Sequence, residues 1–276
     1  MKCKLCTSTK EKIPLYAGLV RCSECELIFY PHHANAAEIY NGNYFSGDEY
    51  RDYVADKDIL QRNFRFRVQY LSTLKSSGRL LEVGCAYGFF LEEAQKRYEV
   101  EGIDVSKAAI DFAKNNGMPN LQCGDFLSIT TLSQEFDLIC LWDTIEHLEE
   151  PFLYLKKISD QLADGGVVVL TTGDIASFLA TLRGEKWRQI HPPSHLFYFS
   201  EKTIRRALEQ HGLEVLNIKN IGQYRSYRSM LFEIFNLRMP RLSWVYRVLT
   251  LNGRLDFPIY LNTFDIMQVS AIKPKR

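Results

Sequence analysis

Glu82, Gly84, Gly88 and Asp104 are the residues whose types and spacing most directly suggest chemistry in this chain. They lie in Leu80-Leu81-Glu82-Val83-Gly84-Cys85-Ala86-Tyr87-Gly88-Phe89-Phe90-Leu91, which reads as a buried strand, a sharp turn and the first turn of a helix. Gly84 and Gly88 let the backbone approach a ligand where a Cβ would collide. Glu82 stands at the carboxyl end of the strand, the edge at which α/β sheets bind ligands. Asp104 follows twenty residues after Gly84, at the end of a second short strand. A carboxylate there suits the hydroxyls of a ribose. A dinucleotide site requires G-x-G-x-x-G, but here the frame is Gly84-x-Ala86-x-Gly88 followed by Phe89, so the pyrophosphate pattern fails.

A second chemical pattern is Cys3-x2-Cys6, fifteen residues, Cys22-x2-Cys25. Two such knuckles have the spacing of a zinc ribbon with four thiolates around one structural Zn2+. His32 and His33 are near enough to be rival ligands, but four cysteines complete a tetrahedral shell with no open position. Cys85, Cys123 and Cys140 read as small buried residues.

The elements that must position these residues follow from periodicity. Residues 1–32 form the ribbon and 33–78 a cap segment, with Tyr40, Tyr44, Phe45, Tyr50 and Tyr53 preceding a helix faced by Leu60, Phe64, Val68, Leu71 and Leu74. Strands are predicted at 79–83, 99–104, 121–123, 136–142 and 167–171. Ser106 is the N-cap of one helix and Pro151 opens another. Ser200 caps a helix to about 211, followed by strands at 213–218 and 266–272. This alternation predicts an α/β fold with a parallel sheet covered on both faces. Residues 222–262 are expected to form helices over the carboxyl edge of the sheet. Leu231, Phe232, Trp244 and Val248 within them favour a lid over a homodimer contact or a surface for a lipid-linked acceptor.

In the Glu82–Gly88 segment the chain resembles the class I S-adenosylmethionine-dependent methyltransferases, with Ala86 in place of the middle glycine. The resemblance continues in order through Gly102-Ile103-Asp104, Gly124-Asp125-Phe126, Phe136 to Asp143, and Leu162-Ala163-Asp164-Gly165-Gly166. It implies a Rossmann-like seven-stranded sheet at 79–276, with the last strand antiparallel near the edge. It also implies S-adenosylmethionine as cofactor. Glu82, Gly84, Ala86 and Gly88 would surround its methionine part. Asp104, with Val105 beside it, would meet the ribose, Asp125 and Phe126 the adenine, and Trp142 and Asp143 the donor methyl.

Asp143-Thr144-Ile145-Glu146-His147 replaces the N/D-P-P-Y/F signature of amino-group methylation on bases and amides. It resembles small-molecule methyltransferases, including the ubiquinone-pathway O-methyltransferases. Asp143, Glu146 and His147 could ligate a divalent metal; the plainer reading has Glu146 and His147 shaping the loop beside the donor, with His147 a candidate catalytic group.

His191-Pro192-Pro193-Ser194-His195-Leu196-Phe197-Tyr198-Phe199-Ser200 is similar to segments of a branch acting in natural-product and polysaccharide pathways, which often carries an N-terminal zinc module. Either histidine could serve as general base, His195 first and His191 second. Tyr44, Tyr50, Arg225 and Arg228 are candidate acceptor contacts, the arginines for a nucleotide-sugar pyrophosphate.

Bulk properties narrow the function classes. The formal charge of +1 provides no global field for nucleic acid. Residues 1–6 lack the apolar core of a secretory signal, and no run approaches the roughly 18 apolar residues of a membrane helix. A cytoplasmic enzyme is expected. The leading reading is methyl transfer to oxygen or carbon of a sugar, nucleotide-sugar or related secondary metabolite. The alternatives are an RNA methyltransferase gripping RNA through the ribbon and a non-catalytic S-adenosylmethionine-binding partner protein.

Overall fold

A computed structural model describes residues 2–32, 54, 56–130, 132, 135–232, 234–235, 239–250 and 257–275. The N-terminal strands are β1 (Lys12–Pro14), β2 (Val20–Cys22) and β3 (Ile28–Phe29). Helix α1 (Lys57–Leu74) leads into β4 (Arg79–Val83), α2 (Phe89–Ala94), β5 (Glu99–Asp104), α3 (Lys107–Asn115) and β6 (Leu121–Cys123). Then come β7 (Phe136–Trp142), a 3-10 turn at Ile145–His147, α4 (Pro151–Gln161), β8 (Leu162–Gly173) and α5 (Phe178–Arg183). The chain continues through β9 (Phe197–Tyr198), α6 (Glu201–Glu209), β10 (Glu214–Asn220), β11 (Gln223–Ser226), α7 (Tyr227–Phe232), α8 (Ser243–Thr250), β12 (Pro258–Leu261) and β13 (Ile266–Ile272).

Seven strands form the central sheet in the order β10-β13-β8-β7-β4-β5-β6. β8, β7, β4, β5 and β6 run parallel, and β13 inserts antiparallel between β8 and β10. The strands are apolar because both faces are covered. Side chains alternate between faces along a strand, and β7 shows it from Leu138 onward, past a register shift between Phe136 and Leu138. Phe136, Ile139 and Leu141 enter one core with Leu155 and Ile158 of α4 and Ile204 and Leu208 of α6. Leu138, Cys140 and Trp142 enter the other, with Phe64 and Leu71 of α1, Phe90 of α2 and Ile110 of α3.

Sequence direction reverses beside β4: the chain proceeds to β5 and β6 on one side and to β7 and β8 on the other. Such a switch point opens a crevice at the carboxyl ends of the strands. The turns after β4 and β7 both lie there.

The ribbon is joined to this body. β9 completes an antiparallel sheet of order β1-β2-β3-β9, with Ile28 opposite Tyr198 and Phe29 opposite Phe197. Cys3, Cys22, Cys25, Leu27 and Phe29 share one core with Phe152, Phe197 and Phe199.

The expected caps are present: Ser106 accepts from the Ala109 amide, and Ser200 forms a capping box with Thr203. Three expectations require correction. β8 begins at Leu162 rather than Val167, because Leu162 already pairs with Phe136 and the Gly165 amide donates to the Lys273 carbonyl. Residues 222–262 are not helical throughout: β11 and β12 pair antiparallel and bracket α7 and α8. Cys123, at the end of the edge strand β6, is exposed rather than buried.

Candidate functional site

The turn after β4 is held by the neighbouring strand. The Gly84 and Cys85 amides donate to the Ile103 carbonyl at 2.8 and 3.1 Å. The Ala86 amide donates to Asp104 Oδ2 and the Ser106 amide to Asp104 Oδ1, both at 2.8 Å. Asp104 therefore organises the loop as well as standing at its mouth. Burial raises its carboxyl from the ordinary value, and the hydrogen bonds from Ser106 and Ala86 oppose that rise. Gly84 has φ +82°, and a Cβ there would stand 2.6 Å from Thr144 Oγ1, so the turns after β4 and β7 touch.

Glu82 lies beneath this turn. Its Oε2 is buried and has no hydrogen-bond partner. Burial pushes its carboxyl well up, and Asp104 adds to this while Arg67 counteracts it. A buried carboxylate oxygen beside an open crevice is a group that a ligand's donor would satisfy.

Arg67 is a residue that the sequence reading missed. It is buried on α1, with its guanidinium 4.5 Å from the Trp142 ring centroid and Nη2 3.4 Å from Asp143 Oδ2. Helical periodicity registers only apolar faces, so a cation that stacks on Trp142 reads as a solvated one. Asp143 has φ +50°, and its Oδ1 accepts from Thr171 Oγ1 at 2.9 Å.

Val105, expected beside Asp104 at the ribose, is 45% exposed. Of the expected adenine contacts, Asp125 Oδ1 accepts from Tyr154 Oη at 2.5 Å and from the Leu127 amide at 3.0 Å. Phe126 corrects the expectation: it is 1% exposed, packed by Tyr154 and beneath the Lys157 ammonium, and presents no ring face to a ligand.

Beyond Asp143 the crevice deepens into a cavity of about 470 Å³, whose lining includes Asn63, Asp143, Glu146, His147, His195 and Arg225. The Leu196 amide donates to the Glu146 carbonyl at 2.8 Å and Tyr30 donates its amide to the Leu196 carbonyl at 2.8 Å. The ribbon, the histidine loop and the turn after β7 are thereby tied in series. His147 Nδ1 lies 2.9 Å from the Ser194 carbonyl, which makes that nitrogen the protonated one. The His147 and His195 ring centroids are 4.5 Å apart, and those of His195 and His191 3.9 Å.

Burial pulls His147 down to about 4, neighbouring His191 reinforcing this and the Ser194 carbonyl opposing it. Burial likewise holds His195 well below its ordinary value, with His147 and His191 adding to the effect. Glu146 is pushed up to about 8 by burial and by Asp143. The buried imidazoles are thus neutral lone-pair donors near neutral pH. His191 is half-buried and does not line the cavity.

Arg225 reaches the cavity from β11, but Arg228 does not: it follows β11 on α7, where its Nε approaches Tyr246 Oη at 3.4 Å. This corrects its placement as an acceptor contact. Tyr44 and Tyr50 lie outside the described residues.

In the ribbon, the Sγ atoms of Cys3, Cys6, Cys22 and Cys25 all lie within 4.8 Å of one another, with Cys3–Cys25 and Cys6–Cys22 at 3.6 Å. Tetrahedral zinc with Zn–S bonds of about 2.3 Å places its sulfurs about 3.8 Å apart, so the four thiols fit that ion. The knuckles are built alike. Thr7 and Glu26 follow the second cysteine of each at φ +57° and +66°, and their amides donate to the Cys3 and Cys22 carbonyls at 2.9 Å.

The sheet order, the glycine turn at its switch point and the acid closing β5 define a class I S-adenosylmethionine-dependent methyltransferase. The chain belongs to the family described as Methyltransferase domain, which matches residues 49–218. It is 29% identical over 172 residues to a ubiquinone biosynthesis O-methyltransferase of Coxiella burnetii, covering 56% of this chain and 72% of that one. Its fold resembles a SAM-dependent methyltransferase of Thermotoga maritima, with TM-score 0.55, 16% identity and coverage of 85% and 97% of the two chains. A SAM-dependent methyltransferase of Archaeoglobus fulgidus superposes with TM-score 0.53 and 18% identity, covering 80% and 99%. No described helix is long and apolar enough to cross a membrane.

Proposed function

We propose that this methyltransferase transfers a methyl group to oxygen or carbon of a small-molecule acceptor held in the cavity between Asp143 and Arg225. A sugar, nucleotide-sugar or related secondary metabolite is the favoured class. The carrying observation is continuity: Asp143 lines the cavity, and the turn that it begins touches the Gly84 turn, so an acceptor and a donor would meet there.

S-adenosylmethionine supplies an activated methyl on a sulfonium, and the chain's own residues bind, align and exclude water. Glu82 would accept from the methionine amino group, with Gly84, Ala86 and Gly88 giving backbone access beside it. Asp104, with Val105 beside it, would receive the ribose hydroxyls, and Asp125 would meet the adenine. Trp142 and Asp143 would border the reacting methyl. The acceptor is activated by the buried cluster around His195, whose neutral imidazole faces the cavity. His191 stands behind it as the relay toward solvent.

Cys3, Cys6, Cys22 and Cys25 would hold one structural zinc. In domain terms the ribbon at 1–32 and the cap segment at 33–78 precede a methyltransferase unit at 79–276. The ribbon's role would be to fix the loop carrying His195, since β3 pairs with β9 two residues beyond it.

The test is transfer of labelled methyl from S-adenosylmethionine to nucleotide-sugars, small hydroxylated metabolites and total RNA. Label in a small molecule is the expected result. Label in RNA alone would overturn the reading, and tight donor binding with no transfer to any acceptor would make the chain a binding partner.

A further inference from the structure

We propose that Glu146, His147 and His195 form a second metal site, distinct from the cysteine cluster, that takes a first-row divalent cation and presents it to the acceptor cavity. The inference rests on the reading that this cavity holds the methyl acceptor.

The geometry carries it. One ligand atom from each of the three residues lies within 4.8 Å of the others. Three ligands about 2.1 Å from a common ion stand roughly 3.0–3.6 Å apart, so the three side chains would draw together by about an ångström to close the shell. Glu146 is 3% exposed, and its Oε2 has no hydrogen-bond partner. Leaving a buried carboxylate oxygen unsatisfied is costly, and a cation satisfies it directly.

His147 shows the outer-shell arrangement common to metal-bound histidines. Its Nδ1 donates to the Ser194 carbonyl, which orients the ring and makes Nε2 the ligand atom. Two backbone hydrogen bonds hold the loops in place: Leu196 amide to Glu146 carbonyl, and His195 amide to His191 carbonyl at 3.3 Å. The donor set differs from the cysteine site. Two imidazoles and one carboxylate leave positions open for an exogenous oxygen, whereas four thiolates leave none. All three residues line the cavity.

A cation here acts as a Lewis acid toward an acceptor hydroxyl. The acceptor O–H bond breaks and its proton leaves to water at the open side of the cavity. An O–CH3 bond then forms as the S–CH3 bond breaks, the bonding pair remaining on sulfur. The products are a methyl ether, S-adenosylhomocysteine and a proton. His195 then serves the acceptor through the ion rather than by taking the proton itself, and the preferred acceptors are oxygen nucleophiles.

The test is Co2+ titration of the full-length chain with its ribbon filled by zinc. One further equivalent should bind, with d–d absorption and without a thiolate charge-transfer band. The near-isosteric Glu146→Gln and the His195→Ala variants should each weaken that equivalent at least tenfold, while ribbon zinc and donor affinity stay unchanged. Absence of a second equivalent in the wild-type chain would overturn the proposal. So would its undiminished binding by the Glu146→Gln, His195→Ala double variant. Methyl transfer to a small molecule without a second equivalent would leave the functional reading standing and sink the metal site. A bound second equivalent without transfer to any small molecule would do the reverse.

Discussion

On the proposed reading, Asp104 and His195 separate the two halves of the reaction at the level of single side chains. Asp104 would meet the donor and also anchors the Ala86 and Ser106 amides. Charge-assisted hydrogen bonds are worth roughly 1.5–3 kcal/mol each, so Asp104→Ala should weaken S-adenosylmethionine binding by about 10- to 100-fold, measured by calorimetry. His195 lies on the acceptor side, and His195→Ala should leave the donor Kd unchanged. Its kcat should fall by about 10²- to 10⁴-fold, the span ascribed to acid–base groups. Unchanged turnover in a rapid-quench assay would remove His195 from the activating role. The turn that Glu82, Gly84 and Asp104 build was legible in the sequence because each sits at a strand end within a few positions of a glycine. Arg67 and the cluster were not: Arg67 stands on a helix fifteen positions before Glu82 and outside every motif, and His147 and His195 meet only through tertiary folding.

At the level of elements, short apolar strands with adjacent turns were read closely from local pattern, and β4 to β7 fall at the expected residues. β9 is two residues long and has no local signature, because its partner β3 is more than 160 positions earlier. β11 and β12 escaped notice for the same reason, since α7 and α8 separate them. β9 has a testable consequence. If zinc in the ribbon fixes the histidine loop, its removal by a chelator should speed hydrogen exchange at the Tyr30 and Leu196 amides. These amides donate to the Leu196 and Glu146 carbonyls. The β4 and β5 amides should keep their protection. Equal loosening throughout, read by mass spectrometry, would mean that the ribbon stabilises the molecule generally rather than this loop.

At the level of the whole molecule, Asp265 ties the segment leading into β13 to the loop after α5. It is wholly buried and accepts from Trp187 Nε1 at 2.7 Å and Arg188 Nη2 at 2.8 Å. Burial alone would raise its carboxyl, but hydrogen bonds from Arg188, Thr263 and Trp187 outweigh it and hold it below the ordinary value. A carboxyl depressed in the folded state stabilises at pH above its unfolded value, near 3.9, and that contribution is lost as pH falls through the folded value. The Tm of the wild-type chain should therefore drop below about pH 4. Asp265→Asn should lower Tm at pH 7 and flatten that acid limb in a series of thermal melts. A parallel downward shift at every pH would assign Asp265 a packing role alone.

Ala86 has φ +44°, a left-handed conformation that a β-carbon disfavours. Part of the chain's cohesive energy is thus surrendered at the rim of the donor crevice. Ala86→Gly would recover about 1 kcal/mol from the relieved conformation and give back a similar amount through the greater freedom of the unfolded chain, so melting should change by only a few degrees. The larger change should appear in the unliganded loop, which would sample more shapes and bind the donor more weakly. Ala86 thus acts as a stiffener, setting how much order the crevice has before anything enters it.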